Sequence, residues 1–376
     1  MQKRCAVRDV LSQLQSWWDG DVPFALATVV GVRGSAPRLP GASMAVSRDG
    51  EAVGSVSGGC VEGAVFDLAT EVLTSRTPTL ETYGISDDDA FAVGLTCGGI
   101  LDIVVRAVDV QSAPTFAAVA ASVTAQEPVA WATVISGDAP LAAALAVWPD
   151  QVSGTLGAEG LDVAVTDDAR GMLAQGQTGV RHYGPRGERR QDEVAVFIES
   201  FTPPPRLLVF GAIDFASAVA RIGKYLGYQV TVCDARPVFA TEKRFPDADE
   251  VVCQWPDKYL RSITVDERTV IAVLTHDPKF DVPLLEVALR TPAAYIGAMG
   301  SRRTHEDRLA RLREAGLTDG ELARLRSPIG LDLGARTPEE TAVSIAAEII
   351  GLRWGGTGTP LSRTDGAIHH DPAGAS

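Results

Sequence analysis

Apolar positions along this chain recur with two periods, and the change from one to the other divides it. The spacing near the start predicts an amphipathic helix over Val7 to Trp17. Strands then follow around small-residue turns. Phe24 to Val30, Ala42 to Val46 and Glu51 to Val56 suit a β-meander, with Asp49-Gly50 as a hairpin turn. A helix is expected from Val61 to Leu73. After it come a strand at Thr79 to Tyr83, an acidic turn at Asp87-Asp88-Asp89, and an apolar strand at Ile100 to Val105. The pattern next predicts a helix over Phe116 to Ala125 and strands near Val129 to Ile135, Leu145 to Trp148, Leu161 to Val165 and Val194 to Ser200. Residues 149–160 and 166–193, rich in Gly and polar side chains, read as hairpin loops.

Thr202-Pro203-Pro204-Pro205 ends that region, because three prolines stop the preceding strand and stiffen the join. Beyond it the pattern is a regular β-α-β alternation. Strands are expected at Leu207 to Phe210, Gln229 to Cys233, Glu250 to Cys253, Val270 to Leu274 and Ala294 to Ile296, with a helix over Phe215 to Leu226 and others between the later strands. A last helix starts at Thr337-Pro338-Glu339-Glu340, where Thr caps, Pro takes the first turn and Glu closes a capping box. The expected fold is α/β: an N-terminal α+β domain of mixed or antiparallel strands (1–201), the linker (202–205), a Rossmann-like doubly wound parallel sheet (206–354) and a mobile tail (355–376).

Composition narrows the function. With 376 residues, two domains are the prior. A net charge of −14 argues against broad binding of nucleic acid or anionic membrane. No apolar run is long enough to span a bilayer. Five widely spaced cysteines behind a charged N-terminus without a signal peptide predict reduced thiols in a cytoplasm. No Cys-x-x-Cys pair or His-x-x-x-His spacing marks a zinc site.

Candidate chemistry gathers in a few turns. Residues 31–41, with Arg33, Gly34, Ser35 and Arg38, read as a shaped loop offering backbone N–H groups and guanidiniums to an anion. Ser57-Gly58-Gly59-Cys60 opens a helix, where the backbone partial charge favours a thiolate. Cys97 also flanks a glycine pair, Gly98-Gly99. Cys5, Cys233 and Cys253 read as small buried apolar side chains. In the second half, Gly211-Ala212-Ile213-Asp214 stands where a dinucleotide fingerprint belongs, but Ile213 obstructs backbone approach and Asp214 repels phosphate. Asp234 stands where a ribose-binding carboxylate would be. An altered or lost nucleotide site is favoured over ordinary NAD binding, so NAD(P) is not expected as a cofactor. Gly300-Ser301-Arg302-Arg303 follows a parallel strand and fits a phosphate as well as it fits a solvated helix start. His276-Asp277 is expected to be a turn in which Asp caps a helix, and His305 a surface residue.

Taken together, Gly34-Ser35-Ala36-Pro37-Arg38, Ser57-Gly58-Gly59-Cys60-Val61-Glu62 and Cys97-Gly98-Gly99 resemble the amino-terminal domain of the XdhC/CoxI family. The later motifs follow in family order: Asp234-Ala235-Arg236-Pro237, Arg244-Phe245-Pro246, Thr275-His276-Asp277, Gly300-Ser301-Arg302-Arg303 and Pro328-Ile329-Gly330-Leu331-Asp332. The resemblance covers nearly the whole chain. It implies an accessory protein for xanthine dehydrogenase and related molybdenum hydroxylases. Such a protein binds molybdenum cofactor (molybdopterin), holds it for sulfuration with a cysteine desulfurase and delivers it to the apo-enzyme. The family's cofactor-binding cysteine falls on Cys60, a contact to the molybdenum centre, with Glu62 beside it. Family members carry Gly-Ala-Gly-His where this chain has Gly211-Ala212-Ile213-Asp214. The expectation is a cytoplasmic chaperone and homodimer rather than a turnover enzyme, its cleft bordered by Cys60, Arg38 and the Gly300 to Arg303 loop. The alternatives are an NAD(P)-linked oxidoreductase and a regulatory binding module.

Overall fold

The computed structural model describes residues 7–34, 38–84 and 99–365. The chain divides into two units between Pro203 and Pro204.

The first unit begins with α1 (Val7–Asp19), β1 (Phe24–Arg33), β2 (Ser43–Ser47), β3 (Ala52–Gly54), α2 (Glu62–Ser75), β4 (Thr79–Tyr83) and β5 (Ile100–Val108). It continues with α3 (Phe116–Thr124), β6 (Val129–Gly137), β7 (Ala144–Val147), β8 (Val152–Thr155), α4 (Glu159–Gln175), β9 (Gly179–Tyr183) and β10 (Val194–Phe201). The strands form two antiparallel sheets of five, ordered β3-β2-β1-β5-β4 and β8-β7-β6-β10-β9. Element order and strand order are the same in both, so the unit is one seven-element module built twice.

The equivalence extends to details. Phe24-Ala-Leu-Ala-Thr-Val-Val aligns with Val129-Ala-Trp-Ala-Thr-Val-Ile, and Val65, Ala69, Leu73, Tyr83 and Gly84 recur as Val165, Ala169, Leu173, Tyr183 and Gly184. Each central pair carries a bulge at the same place, after Val29 in β1 and after Val134 in β6. Gly54 and Gly154 sit at φ +85° and +96°. A Cβ on them would lie 2.3 Å from the Ser43 carbonyl oxygen and 2.4 Å from that of Ala144, so both positions require glycine.

Period-2 alternation sends Ala25, Ala27 and Val29 to one face with Val65, Ala69 and Val72 of α2. Ala130, Ala132 and Val134 likewise meet Val165, Ala169 and Leu173 of α4. The opposite faces share one core, in which Phe24, Leu26, Phe116 and Trp131 pack with α1 and α3. Where that core meets the strand centres, Thr28, Val30, Val104 and Arg106 of one module face Trp131, Thr133, Phe197 and Glu199 of the other around a cavity of about 20 Å³, room for about one water.

The structure corrects the expectation for 149–193. Leu161 to Val165 is helical, not a strand, and residues 166–193 are not a hairpin loop: α4 and β9 occupy most of them, and β8 lies within 149–160. Leu161, Val165, Ala169, Met172 and Leu173 form the buried face of α4, a 3.6-residue period that the acidic run Asp167-Asp168 masks.

The second unit runs β11 (Arg206–Phe210), α5 (Asp214–Tyr225), β12 (Gln229–Asp234), β13 (Glu250–Cys253), α6 (Pro256–Ser262), β14 (Val270–Val273), α7 (Pro278–Ala288), β15 (Tyr295–Ala298), α8 (Arg302–Glu314), α9 (Asp319–Leu322), β16 (Leu325–Arg326) and α10 (Pro338–Trp354). Its six strands are parallel in the order β13-β12-β11-β14-β15-β16, the doubly wound arrangement that the apolar runs predicted. Leu207 and Val209 face α5 and α10, while Leu208 and Phe210 face the layer containing α7. The capping box at Thr337 and Glu340 is present. Among the described residues, no helix is long and apolar enough to cross a membrane.

Candidate functional site

The first unit's candidates converge on one end of the first sheet. Arg33 at the end of β1 pairs with Ile100 at the start of β5, so Gly34 and the buried Gly99 adjoin across the register. β3 ends at Gly54 opposite Met44, which sends residues 55–61 to the same end. Val32 and Cys60 pack on one core cluster there. Arg33 is held by Asp102 at 3.0 Å, and Arg38 is half-buried in the β1–β2 connection. Ser35, Cys97, Gly98 and Cys5 lie outside the described residues.

Cys60 is half-buried two residues before α2. The loop that carries it is organised by Glu62, whose two oxygens accept from Ser55 Oγ (2.6 Å), Ser57 N (2.9 Å), Ser57 Oγ, Gly58 N (2.9 Å) and Gly59 N (2.8 Å). Burial pushes the Glu62 carboxyl up, but the hydrogen bonds from Ser55 and Ser57 outweigh it and hold its pKa down to about 2. Ser57 Oγ accepts in turn from the N–H groups of Cys60 and Val61, each at 3.0 Å. Gly58 and Gly59 have φ of +82° and +119°, and among the described residues a Cβ on either would meet nothing within 4 Å. Among the described residues, backbone conformation rather than crowding requires glycine there, and none of them covers the outer side of the glycine pair. The N–H groups of Ser57, Gly58 and Gly59 are used by a carboxylate of the chain itself. Sequence reasoning placed Glu62 beside Cys60 but missed this role, because most of its partners are loop backbone.

The second unit's candidates lie at the carboxyl ends of its strands, where doubly wound sheets bind ligands. Asp234 is buried and accepts from Ala212 N (2.7 Å), Arg236 N (2.9 Å), Arg236 Nε (2.9 Å) and Arg236 Nη2 (2.8 Å). Burial raises its pKa and these donors, Arg236 above all, lower it further than that. Gly211, at φ +109°, turns tightly against Thr275. Ile213 precedes α5, and Asp214 is exposed beside Arg244. The turn thus engages its own carboxylate. Ser301 caps α8 by accepting from Thr304 N at 3.1 Å, with Arg302 and Arg303 exposed after it. Beneath that turn lies a pair the sequence did not reveal. Arg308, buried, donates to Asp281 (3.0 Å), the Met299 carbonyl (2.8 Å) and Ser327 Oγ (3.0 Å). Burial pushes Asp281 up to about 6, against the pull of Arg308. The available signal was Arg308 and Leu312, i and i+4 on one face of an otherwise charged helix.

Asp277 caps α7 through Lys279 N at 3.1 Å, as expected, and leaves His276 exposed. Two expectations change. His305 is half-buried, not a surface residue, and its Nδ1 has no hydrogen-bond partner among the described residues. Cys253 is exposed at the end of β13, whereas Cys233 is buried and its thiol is pushed up to about 12 by desolvation and Asp234. Among the described residues, no three His, Cys, Asp or Glu side chains form a metal-binding group.

Comparison with known proteins agrees with this division. The family model described as "XdhC Rossmann domain" matches residues 207–349, and the model described as "XdhC and CoxI family" matches residues 17–84 and 122–184, one segment in each module. The chain belongs to the XdhC/CoxI family. It is 29% identical over 336 residues to a protein of Bacillus subtilis named as a probable subunit of xanthine dehydrogenase, covering 87% of this chain and 92% of that one. It is 28% identical over 328 residues to "Molybdenum cofactor insertion chaperone PaoD" of Escherichia coli, covering 87% and 83%. A crystal structure described as a xanthine dehydrogenase from Bacillus halodurans superposes with a TM-score of 0.66 at 25% identity, over 92% of this XdhC/CoxI chain and 95% of that one.

Proposed function

We propose that this chain is a molybdenum-cofactor chaperone: it takes up the cofactor as cargo at the Cys60 loop, holds it while a cysteine desulfurase supplies the terminal sulfido ligand, and hands it to an apo molybdenum hydroxylase. The carrying observation is the half-buried Cys60 at the opened start of α2, on a loop whose glycine pair no described residue crowds. Thiolates suit soft metal–sulfur centres. The likeness to a relative named a cofactor insertion chaperone, over 87% of this chain and 83% of that one, supports the reading. Cysteine is the softest donor at this sheet end, and Arg38 adds positive charge for the phosphate. Arg302 and Arg303 are the second unit's phosphate candidates. A homodimer in the cytoplasm is part of the proposal. Nucleotide binding by the second unit is not, because the Ala212 N–H and both Asp234 oxygens are engaged with each other and with Arg236.

Cys60→Ala, expressed where the cofactor is made, is expected to fold and to retain at least about tenfold less molybdenum and pterin per chain, the scale on which a lost ligand contact acts. Parent-like metal and pterin content in that variant would refute the reading.

A further inference from the structure

The two modules differ most at the start of their long helices. In the second, α4 begins at Glu159 and runs 17 residues; in the first, α2 begins at Glu62 and runs 14. Residues Gly59, Cys60 and Val61 align with Glu159, Gly160 and Leu161, so a helical turn that the second module keeps wound is open in the first. The carboxylate after that turn is present in both. Asp162 accepts from Thr155 Oγ1 (2.8 Å) and Leu156 N (2.7 Å), as Glu62 accepts from Ser55 Oγ and Ser57 N. The second module has kept the carboxylate and has no cysteine, so the carboxylate is not there to meet a ligand of sulfur.

The geometry points to Glu62 as a positioning residue for Cys60: its carboxylate fills the donors of the unwound turn and so holds the turn open with the sulfur presented. This rests on the reading of Cys60 as the cargo-binding residue. An unwound helix start leaves N–H groups that must find acceptors. Glu62 supplies acceptors for Ser57, Gly58 and Gly59, and through Ser57 Oγ it fixes the N–H groups of Cys60 and Val61. The left-handed glycines let the backbone fold around the carboxylate. Cargo then meets the thiol rather than the loop amides, and the anionic parts of the cargo must be held elsewhere at this sheet end.

Glu62→Gln replaces one acceptor oxygen with an NH₂ donor facing donors. Asp162→Asn makes the same exchange in the module without cysteine. Each full-length variant is measured for bound molybdenum and pterin, for melting temperature, and for the rate at which iodoacetamide alkylates Cys60, read by peptide mass spectrometry. Glu62→Gln is expected to lower cargo retention about tenfold, as loss of a group that orients a ligand does, and to change the alkylation rate at least about threefold. Asp162→Asn is expected to leave both within about twofold of the parent even when it melts as early. Glu62→Asp, which keeps two acceptors, is expected to recover part of the loss. Equal losses in the Gln and Asn variants would overturn the inference, since the carboxylate would then act on stability alone. Parent-like retention in Glu62→Gln while Cys60→Ala empties the protein would overturn it too. If Cys60→Ala itself keeps its cargo, the cargo reading fails, and the alkylation rate decides alone: unchanged in Glu62→Gln, it overturns the positioning role.

Discussion

The first and second modules of the N-terminal unit share a backbone plan and differ in what they put at one loop. Ser57-Gly58-Gly59-Cys60 in the first stands where Gly157-Ala158-Glu159-Gly160 stands in the second. Around that loop the scaffold is the same: the glycine that ends β3 or lies in β8, the carboxylate at the helix start, and the tyrosine that ends β4 or β9. The comparison separates what the module needs to fold from what the first copy adds. Features in both copies belong to the fold; the cysteine, the glycine pair and the opened turn occur in one.

The largest expected effect tests the shared part. Gly54→Ala and Gly154→Ala each drive a Cβ into a carbonyl of the neighbouring strand at a positive φ. Each is expected to cost ~2–4 kcal/mol, from backbone strain plus displacement of the paired strand. Chemical denaturation measures it. If one substitution is tolerated and the other unfolds the protein, the two sites are not equivalent, and the module was not duplicated at this turn.

Much of this plan is legible in the sequence, and the gaps have physical causes. Strand alternation from Phe24 to Val30 and from Val129 to Ile135 is clear, and so is the parallel-sheet alternation after the prolines. The duplication is not, because the offset drifts from 105 residues at Thr28 and Thr133 to 100 at Tyr83 and Tyr183, and because only scaffold residues recur. Helix α4 escapes notice since Asp162, Asp167 and Asp168 interrupt its apolar residues in sequence. The turn that carries Cys60 is legible from its glycines. The roles of Glu62 and Arg308 are not, since their partners include backbone groups and residues of other elements, which no local spacing encodes.

Unlike residues at equivalent positions, Arg106 and Glu199, line the cavity between the two modules, and the burial of Glu199 there predicts a pH dependence. Both are buried. The Arg106 guanidinium lies over Trp131 at 3.9 Å and reaches Thr133 Oγ1 at 3.5 Å. Burial pushes Glu199 up to about 8, opposed by Arg106 and Arg8. The raised folded-state pKa means that Glu199 keeps its proton in the fold up to about pH 8, while in the unfolded chain it loses it near its ordinary value of 4.5. The folded state therefore binds more protons between those values, and stability falls as pH rises through that window, with a slope of up to about 1.4 kcal/mol per pH unit. Glu199→Gln fixes the neutral form. Between pH 5 and 8.5 the parent is expected to lose about 1 kcal/mol or more beyond what the variant loses, read from urea midpoints. Parallel curves for the two proteins would mean that Glu199 is ionised in the folded core at neutral pH.

The smallest effect sharpens the comparison at the tyrosines. Tyr183 is buried at the end of β9 and donates to Asp168 on α4 at 2.8 Å, and Asp168 also pairs with Arg189 at 3.0 Å. Burial, then Asp168, raises the Tyr183 pKa, consistent with a phenol held as a donor. Tyr83 ends β4 in the same place, and its pKa is pushed up to about 12 by burial and by Glu81. Among the described residues its hydroxyl has no comparable acceptor, because Asp168 has its counterpart in Leu68 on α2. Removing a hydroxyl that donates to a carboxylate costs about 1–2 kcal/mol, whereas removing one without such an acceptor costs little. Tyr183→Phe is therefore expected to lower stability by about that amount, read as a fall in the urea midpoint at constant m, and Tyr83→Phe to stay within about 0.5 kcal/mol of the parent. A matching loss at Tyr83 would show that its hydroxyl is anchored as firmly as that of Tyr183, and the two modules would then be alike at this corner as well as in their strands.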